Sequence, residues 1–271
     1  MNIQNITSRD NPHVKAIKRL AQSSSSYKAA GKLWLEGEHL CDAFLQAVPR
    51  ADLKLQKIVM SLSAKPHWIR LVEAYVLQDF ADVACEVIVL PDAIFEHISA
   101  LPSSGGLGFV LSMPDQASSG QKPLIHKTAH TLVLDRVQDA GNVGSMLRSA
   151  AAFGVTQVLA IEGTSALWSP KVLRAAMGAH FALHLVEGLS ADDIVLDVPL
   201  LATHVHAGEM LHELQAVKKI PHPCAWILGH EGQGVSEALF HKASTRVNIK
   251  LAGQESLNVA AAAAVCLYAS A

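Results

Sequence analysis

No stretch of this 271-residue chain reads as a membrane span: the apolar run "VAAAAAVCLYA" near the C-terminus is alanine-rich and too short. The opening "MNIQNITSRD" lacks the apolar core of a secretory signal, so a soluble cytoplasmic protein with no membrane partner is expected. Cysteine is scarce. Cys41, Cys85, Cys224 and Cys266 form no C-x-x-C pair, which argues against a zinc cluster or a disulfide framework, and apolar neighbours suggest core thiols. Two further motifs are missing from the glycine-rich "GHEGQGVS" (residues 229–236). Its order is G-x-x-G-x-G, unlike the dinucleotide fingerprint G-x-G-x-x-G, and no lysine follows as in a phosphate-binding P-loop. The plain alternative is a loop in which Gly229, Gly232 and Gly234 supply positive φ angles.

A metal site lacks its third ligand, although the chain has 14 histidines. "HVH" (His204, His206) would turn both rings to one side of a strand. "HKTAH" (His126, His130) has helical i, i+4 spacing without the glutamate of a metalloprotease helix. No metal is therefore expected. His204, His206, His222 and His230 remain candidates for lining the nearby loops.

Half of the residues are hydrophobic, enough for a sizeable core and for two ordinary domains at this length. Net charge is only −2, but it is polarised: residues 1–70 hold 11 Lys and Arg against 5 Asp and Glu, and the remainder is net acidic. "RDNPHVKAIKRL" puts Lys15, Lys18 and Arg19 on a helix opposite Val14, Ile17 and Leu20, which suits RNA phosphate contact and equally an ordinary solvated face.

The pattern predicts two αβ halves. From residue 11 to about 112 it reads helix, strand ("LWLEG"), helix ("EHLCDAFLQAV"), strand ("LQKIVMS"), helix ("HWIRLVEAYVL"), strand ("CEVIVL"), short helix and strand ("LGFVLS"). "MPDQASSGQKP" then marks a linker, giving domains 1–112 and 129–271 with 113–128 between them. Beyond it, "TLVLDRV", "TQVLAIE", "PLLATHV", "CAWILGH" and "TRVNIKL" alternate with helical segments, as in a mostly parallel sheet covered on both faces.

Ligands in such sheets collect at the carboxyl ends of strands. Three stretches follow strands there: "QDAGNVGSMLRSAAAFGV" with Asn142 and Arg148, "GHEGQGVS" with Glu231, and "AGQESLNVAAAAAVCLYA" with Ser256 and Asn258. Singly each has a plain reading: Asn142 and Ser256 as helix caps, Arg148 in a surface ion pair, Glu231 as a solvated acid.

Together, "NVGSMLRSAAAFGV", "ILGHEGQGVS" and "VNIKLAGQESLNVAAAAAVCLY" resemble, in order and spacing, the three signature motifs of the SpoU (TrmH-like) branch of the SPOUT RNA methyltransferases. "WSPKVLRAAMGAHFALHL" is similar to the segment between the family's first and second motifs, and "ITSRDNPHVKAIKRL" with "LWLEGEHL" to its small substrate-binding domain. The resemblance implies an α/β fold with a deep trefoil knot in the C-terminal parallel-sheet domain and a smaller N-terminal α/β domain. It implies S-adenosylmethionine held through Gly229, Gly234, Ile249 and Leu257, with Leu201 and Thr203 as weaker candidates, and a homodimer. It also implies methylation of an RNA ribose 2′-hydroxyl, ribosomal RNA favoured, with transfer RNA or a catalytically silent RNA-binding relative as alternatives.

By motif position Arg148 would activate the hydroxyl, as base or as orienting cation. Asn142 would position Arg148 or the ribose, Glu231 would orient the arginine, and Ser256 and Asn258 would support the cofactor loop and target nucleotide. The sequence departs from the family in "DAGN", where a proline often precedes the glycine, in "RAAMGA", and in "NVAAAA". None of these departures falls on the five named residues.

Overall fold

The computed structural model describes residues 2–47, 53–70, 85–101, 105–113, 123–205, 207–253 and 256–271. Most of the predicted linker, most of the "HWIRLVEAYVL" helix and His206 lie outside them. The chain divides into two compact units, Met1–Gln121 with Trp168–Phe181, and Lys122–Leu167 with Ala182–Ala271.

The first unit contains β1 (Asn2–Asn5), β2 (Lys32–Glu36), β3 (Lys54–Ser61), β4 (Glu86–Leu90) and β5 (Leu107–Ser112), in sheet order β1-β4-β3-β5-β2. β4 pairs in parallel with β1 and β3, while β5 is antiparallel to β2 and β3. The basic helix Pro12–Gln22 starts where Asn11 accepts a hydrogen bond from the His13 amide and Pro12 presets the first turn. It buries Val14, Ile17, Leu20 and Ala21, which leaves its basic side outward.

The segment Trp168–Phe181, expected within the C-terminal domain, clusters with this first unit. Its helix Pro170–Ala176 is capped by Ser169 and ends at Met177 in the left-handed region, φ 51°. Gly178 then passes so close to Ala43 that a Cβ there would lie 2.6 Å from the alanine methyl. Phe181 packs edge-on against Phe44, ring centroids 5.6 Å apart. These apolar contacts outweigh sequence proximity.

The second unit holds β6 (Thr131–Asp135), β7 (Gln157–Ile161), β8 (His184–Leu189), β9 (Leu200–Thr203), β10 (Glu209–Met210), β11 (Ala225–Gly229) and β12 (Thr245–Asn248). The order is β10-β12-β9-β11-β6-β7-β8, and every neighbouring pair is parallel. Leu132, Val133, Val158, Leu159, Trp226 and Ile227 are fully buried, as unbroken apolar strands between two helical layers require. Each buried Leu, Ile or Val of this kind contributes roughly 1.5–3 kcal/mol. The helices Ala140–Ala152 and Val259–Ser270 pack on each other, and Trp226 Nε1 donates to Ser270 Oγ at 3.0 Å.

"HKTAH" is a turn, not a helix. Gln157, wholly buried, accepts from the His126 amide and donates to its carbonyl, which fixes the turn against β7. His130 is buried with Nδ1 2.9 Å from the Cys224 carbonyl oxygen, and burial lowers its pKa. All four cysteines are buried free thiols, and desolvation pushes Cys224 and Cys266 up to about 12. Among the described residues no helix is long and apolar enough to cross a membrane.

Candidate active site

A cleft of about 450 Å³ opens at the carboxyl ends of β9, β11 and β12. Leu228, Val235, Val247, Ile249, Leu251, Leu257 and Ala262 supply apolar surface, and Thr203, His204, His230, Glu231, Gln233, Ser256 and Asn258 supply polar groups. Thr203, Gly229, Gly234, Ile249 and Leu257 therefore gather as expected. Leu201 does not line the cleft: it is 1% exposed and sits in β9 opposite Trp226 of β11, a core residue. His222 lies against His130, ring centroids 4.8 Å apart, instead of lining the cleft.

The glycine-rich turn has a specific geometry. The amides and carbonyls of His230 and Gly234 exchange hydrogen bonds of 3.0 and 2.8 Å, closing the turn. A Cβ on Gly229 would stand 2.1 Å from the carbonyl carbon of Gly234, so only glycine fits where β11 meets the turn. Gly234 has φ 70°, whereas Gly229 and Gly232 do not take positive φ, which corrects the simple loop reading. His230 Nδ1 accepts from the Gly232 amide at 2.9 Å and the Gln233 amide at 3.3 Å, holding the inside of the turn.

Glu231 joins the three motifs. Its carboxylate accepts from the backbone amides of Gln138 (3.2 Å) and Asp139 (3.1 Å) and from Asn142 Nδ2 (3.1 Å). Asn142 Oδ1 in turn accepts from Asn258 Nδ2 at 3.0 Å, and Asn258 Oδ1 caps the last helix by accepting from the Ala260 and Ala261 amides. Partial burial opposes ionisation of Glu231, but the amide donors, its own included, more than offset it and hold the pKa below the ordinary carboxylate value.

Two expectations change here. Asn142 is not the helix cap: Asp139 is, accepting from the Asn142 amide at 2.7 Å, which frees the Asn142 side chain for the relay. Glu231 does not orient Arg148, since its hydrogen bonds go to Asn142 and the backbone. Arg148 lies nearly two turns along the same helix, exposed and without a hydrogen-bond or ion-pair partner among the described residues. Ser256 lines the cleft but does not cap; that role falls to Asn258.

Sequence reasoning missed Asp135, Arg136 and Gln233. Asp135 ends β6 fully buried, one oxygen 3.0 Å from Arg136 Nε and the other accepting from the Ser236 amide. Arg136 Nη1 donates to Gln233 Oε1 at 2.8 Å. The available signal was the charged pair closing the otherwise apolar "TLVLDRV".

The basic residues lie in the first unit. Lys15 pairs with Asp10 at 2.8 Å, Lys18 donates to His97 Nε2 at 2.7 Å, and Arg19 is exposed in the helix's last turn. Desolvation and the charges of Lys18 and Arg9 lower the pKa of His97, consistent with the acceptor role.

Residues 129–268 match the SpoU rRNA Methylase family. The chain is 29% identical to the Bacillus subtilis protein named 23S rRNA (guanosine(2553)-2'-O)-methyltransferase RlmP, over 98% of each chain. It is 32% identical to an uncharacterized tRNA/rRNA methyltransferase of Synechocystis, over 98% of this chain and 93% of that one. In fold it is similar to the AdoMet-bound rRNA methyltransferase of Sinorhizobium meliloti, with a TM-score of 0.80 at 23% identity, covering 99% of this chain and 97% of that one.

Proposed function

The chain belongs to the SpoU rRNA Methylase family, and from that premise and the cleft's geometry we propose that it methylates a ribose 2′-hydroxyl of ribosomal RNA with S-adenosylmethionine. The observation that carries this reading is the hydrogen-bonded chain Glu231–Asn142–Asn258, which brings all three motifs to the rim of one cleft.

The cleft fits the cofactor. An apolar floor with a few polar groups at its edge suits an adenosine joined to a methionine moiety, and the volume lies in the range of small-molecule sites. Backbone at Gly229 and Gly234, with Thr203, Ile249 and Leu257, would hold it. Bound there, S-adenosylmethionine supplies an electrophilic methyl group. The protein's part is to present the hydroxyl and manage its proton, because a ribose alcohol is a poor nucleophile near neutral pH.

Arg148 is the group for that task. A guanidinium stays protonated, so orienting the hydroxyl and its neighbouring phosphate, and stabilising the alkoxide as it develops, is its physically easier role. No described residue engages its guanidinium, so its donors are available for RNA. Asn142, fixed on both sides by Glu231 and Asn258, would set the position of the ribose, with Ser256 beside it. A silent RNA-binding relative would be expected to have lost some of this machinery, and it is intact.

Lys15, Lys18 and Arg19 would meet RNA phosphates. The knot of the family topology would hold the Gly229–Ser236 turn and the 249–258 segment as one cradle. The small residues Ala261 and Ala264, beside the exposed Val265 and Tyr268, give a surface suited to a homodimer. A ribosomal RNA substrate would place the enzyme in the cytoplasm.

The test is methyl transfer from labelled S-adenosylmethionine to ribosomal RNA from cells lacking the gene, followed by mapping of ribose methylation. One newly methylated ribose is expected. Label appearing only in transfer RNA, or nowhere, would overturn the ribosomal assignment.

A further inference from the structure

Arg136 occupies an unusual place. Its φ is 60°, in the left-handed region that L side chains rarely adopt and where glycine would be relaxed. Thr164 secures that conformation: its hydroxyl donates to the Leu134 carbonyl and accepts from the Arg136 amide, both at 3.0 Å. Keeping a large side chain on such a backbone is informative only if the side chain has a task.

Its contacts define one. The guanidinium donates through Nε to Asp135 Oδ1 and through Nη1 to Gln233 Oε1, so one planar group spans the end of β6 and the tip of the glycine-rich turn. Asp135, fully buried, holds the far side of the same turn through the Ser236 amide. The segment 233–236 is thereby gripped at both ends from β6, and Gln233, Gly234 and Val235 within it line the cleft.

We propose that Arg136 is a positioning residue that sets the shape of the cofactor cleft by clamping Gln233 to the buried Asp135 carboxylate. Arg136 need not touch the cofactor; it acts by removing the alternative conformations of a turn that glycine leaves free. The inference rests on the reading of this cleft as an S-adenosylmethionine site.

The experiment is calorimetric titration of the full-length chain with S-adenosylhomocysteine. Arg136→Gly removes the side chain while suiting the left-handed backbone; it also leaves the buried Asp135 carboxylate without its cation, so melting should fall, and binding is measured well below the variant's transition. Affinity should fall on the order of tenfold, the size of a lost charge-assisted hydrogen bond. KM for the cofactor should rise more than kcat falls. Arg136→Lys should not restore affinity, because a single ammonium cannot reproduce the fork.

Gln233→Ala, at an exposed position that cannot unfold the core, should weaken binding on its own. The Arg136→Gly, Gln233→Ala double variant should be no weaker than Arg136→Gly. Parent affinity in either single variant, or fully additive losses, would overturn the proposal while leaving the cofactor site intact. A parent chain that binds no S-adenosylhomocysteine would overturn both.

Discussion

Replacing Asn142 with aspartate changes almost no volume and tests the relay that joins the three motifs. The Asn142 amide donates to Glu231 at 3.1 Å and its oxygen receives Asn258 at 3.0 Å. In Asn142→Asp the second bond survives, but the first becomes a contact between two carboxylates. Two such charges about 4 Å apart repel by ~1 kcal/mol in water and ~4 kcal/mol at an effective dielectric of about 20. The lost hydrogen bond to a charged group adds about 1.5–3 kcal/mol where buried. Glu231 is largely exposed, so the lower part of both ranges applies. A total of ~2–4 kcal/mol corresponds to a rate loss of roughly 30- to 900-fold.

The assay is methyl transfer at saturating cofactor across pH, and the pH trend is the sharper test. In the parent, the depressed Glu231 pKa means that the relay is intact above the ordinary carboxylate value and is lost as pH falls through the lower folded value. In Asn142→Asp the two carboxylates share a site, so one pKa is raised, and one proton restores a donor between them. Activity relative to the parent should therefore recover as pH falls through that raised value. A variant with the parent rate above neutrality, or one whose relative deficit is flat with pH, would refute the relay.

Three further outcomes are expected. Arg148→Ala should lower the methyl-transfer rate by on the order of 10²-fold or more with cofactor affinity nearly unchanged, and Arg148→Lys should not rescue it, as single-turnover rates and titration would show. Replacing Lys15 and Arg19 with alanine should weaken RNA binding uniformly across sequences and flatten its salt dependence by about one unit of slope for each phosphate no longer neutralised, measured by filter binding over a salt series. Cys224 and Cys266, buried and raised to about 12, should resist iodoacetamide at pH 8 in the native chain and react only after unfolding, as mass spectrometry would report.

The strands that sequence patterning located best are the apolar ones: "TLVLDRV" and "CAWILGH" became β6 and β11 because burial on both faces leaves an unbroken hydrophobic signature. β1, with the sequence "NIQN", has none; its hydrogen bonds to β4 create the strand, and those come from tertiary context. β8 is obscured by Glu187 and Gly188, whose half-exposed and outward positions follow from its place at the sheet edge. Of the cleft, the residues on motif positions were legible, and Leu201 was not separable from Thr203 because period alone does not say which strand residues face a ligand. Asp135, Arg136 and Gln233 escaped notice because their roles rest on interactions across about 100 residues of sequence, such as Asp135 with Ser236. The cap at Asp139 was one turn upstream of the expected Asn142, a common ambiguity when several cap-forming residues adjoin a helix start.

The excursion of Trp168–Phe181 into the first unit bears on how such proteins can be recombined. The chain leaves the second unit at Leu167 and rejoins it at Ala182, so neither unit is a contiguous cassette. A chimera made with a relative by one crossover at residue 121 would seat one parent's Gly178 and Phe181 against the other parent's Ala43 and Phe44, and a Cβ at position 178 would lie only 2.6 Å from the Ala43 methyl. Exchange of the first unit within this architecture would require the inserted segment to travel with the N-terminal sequence.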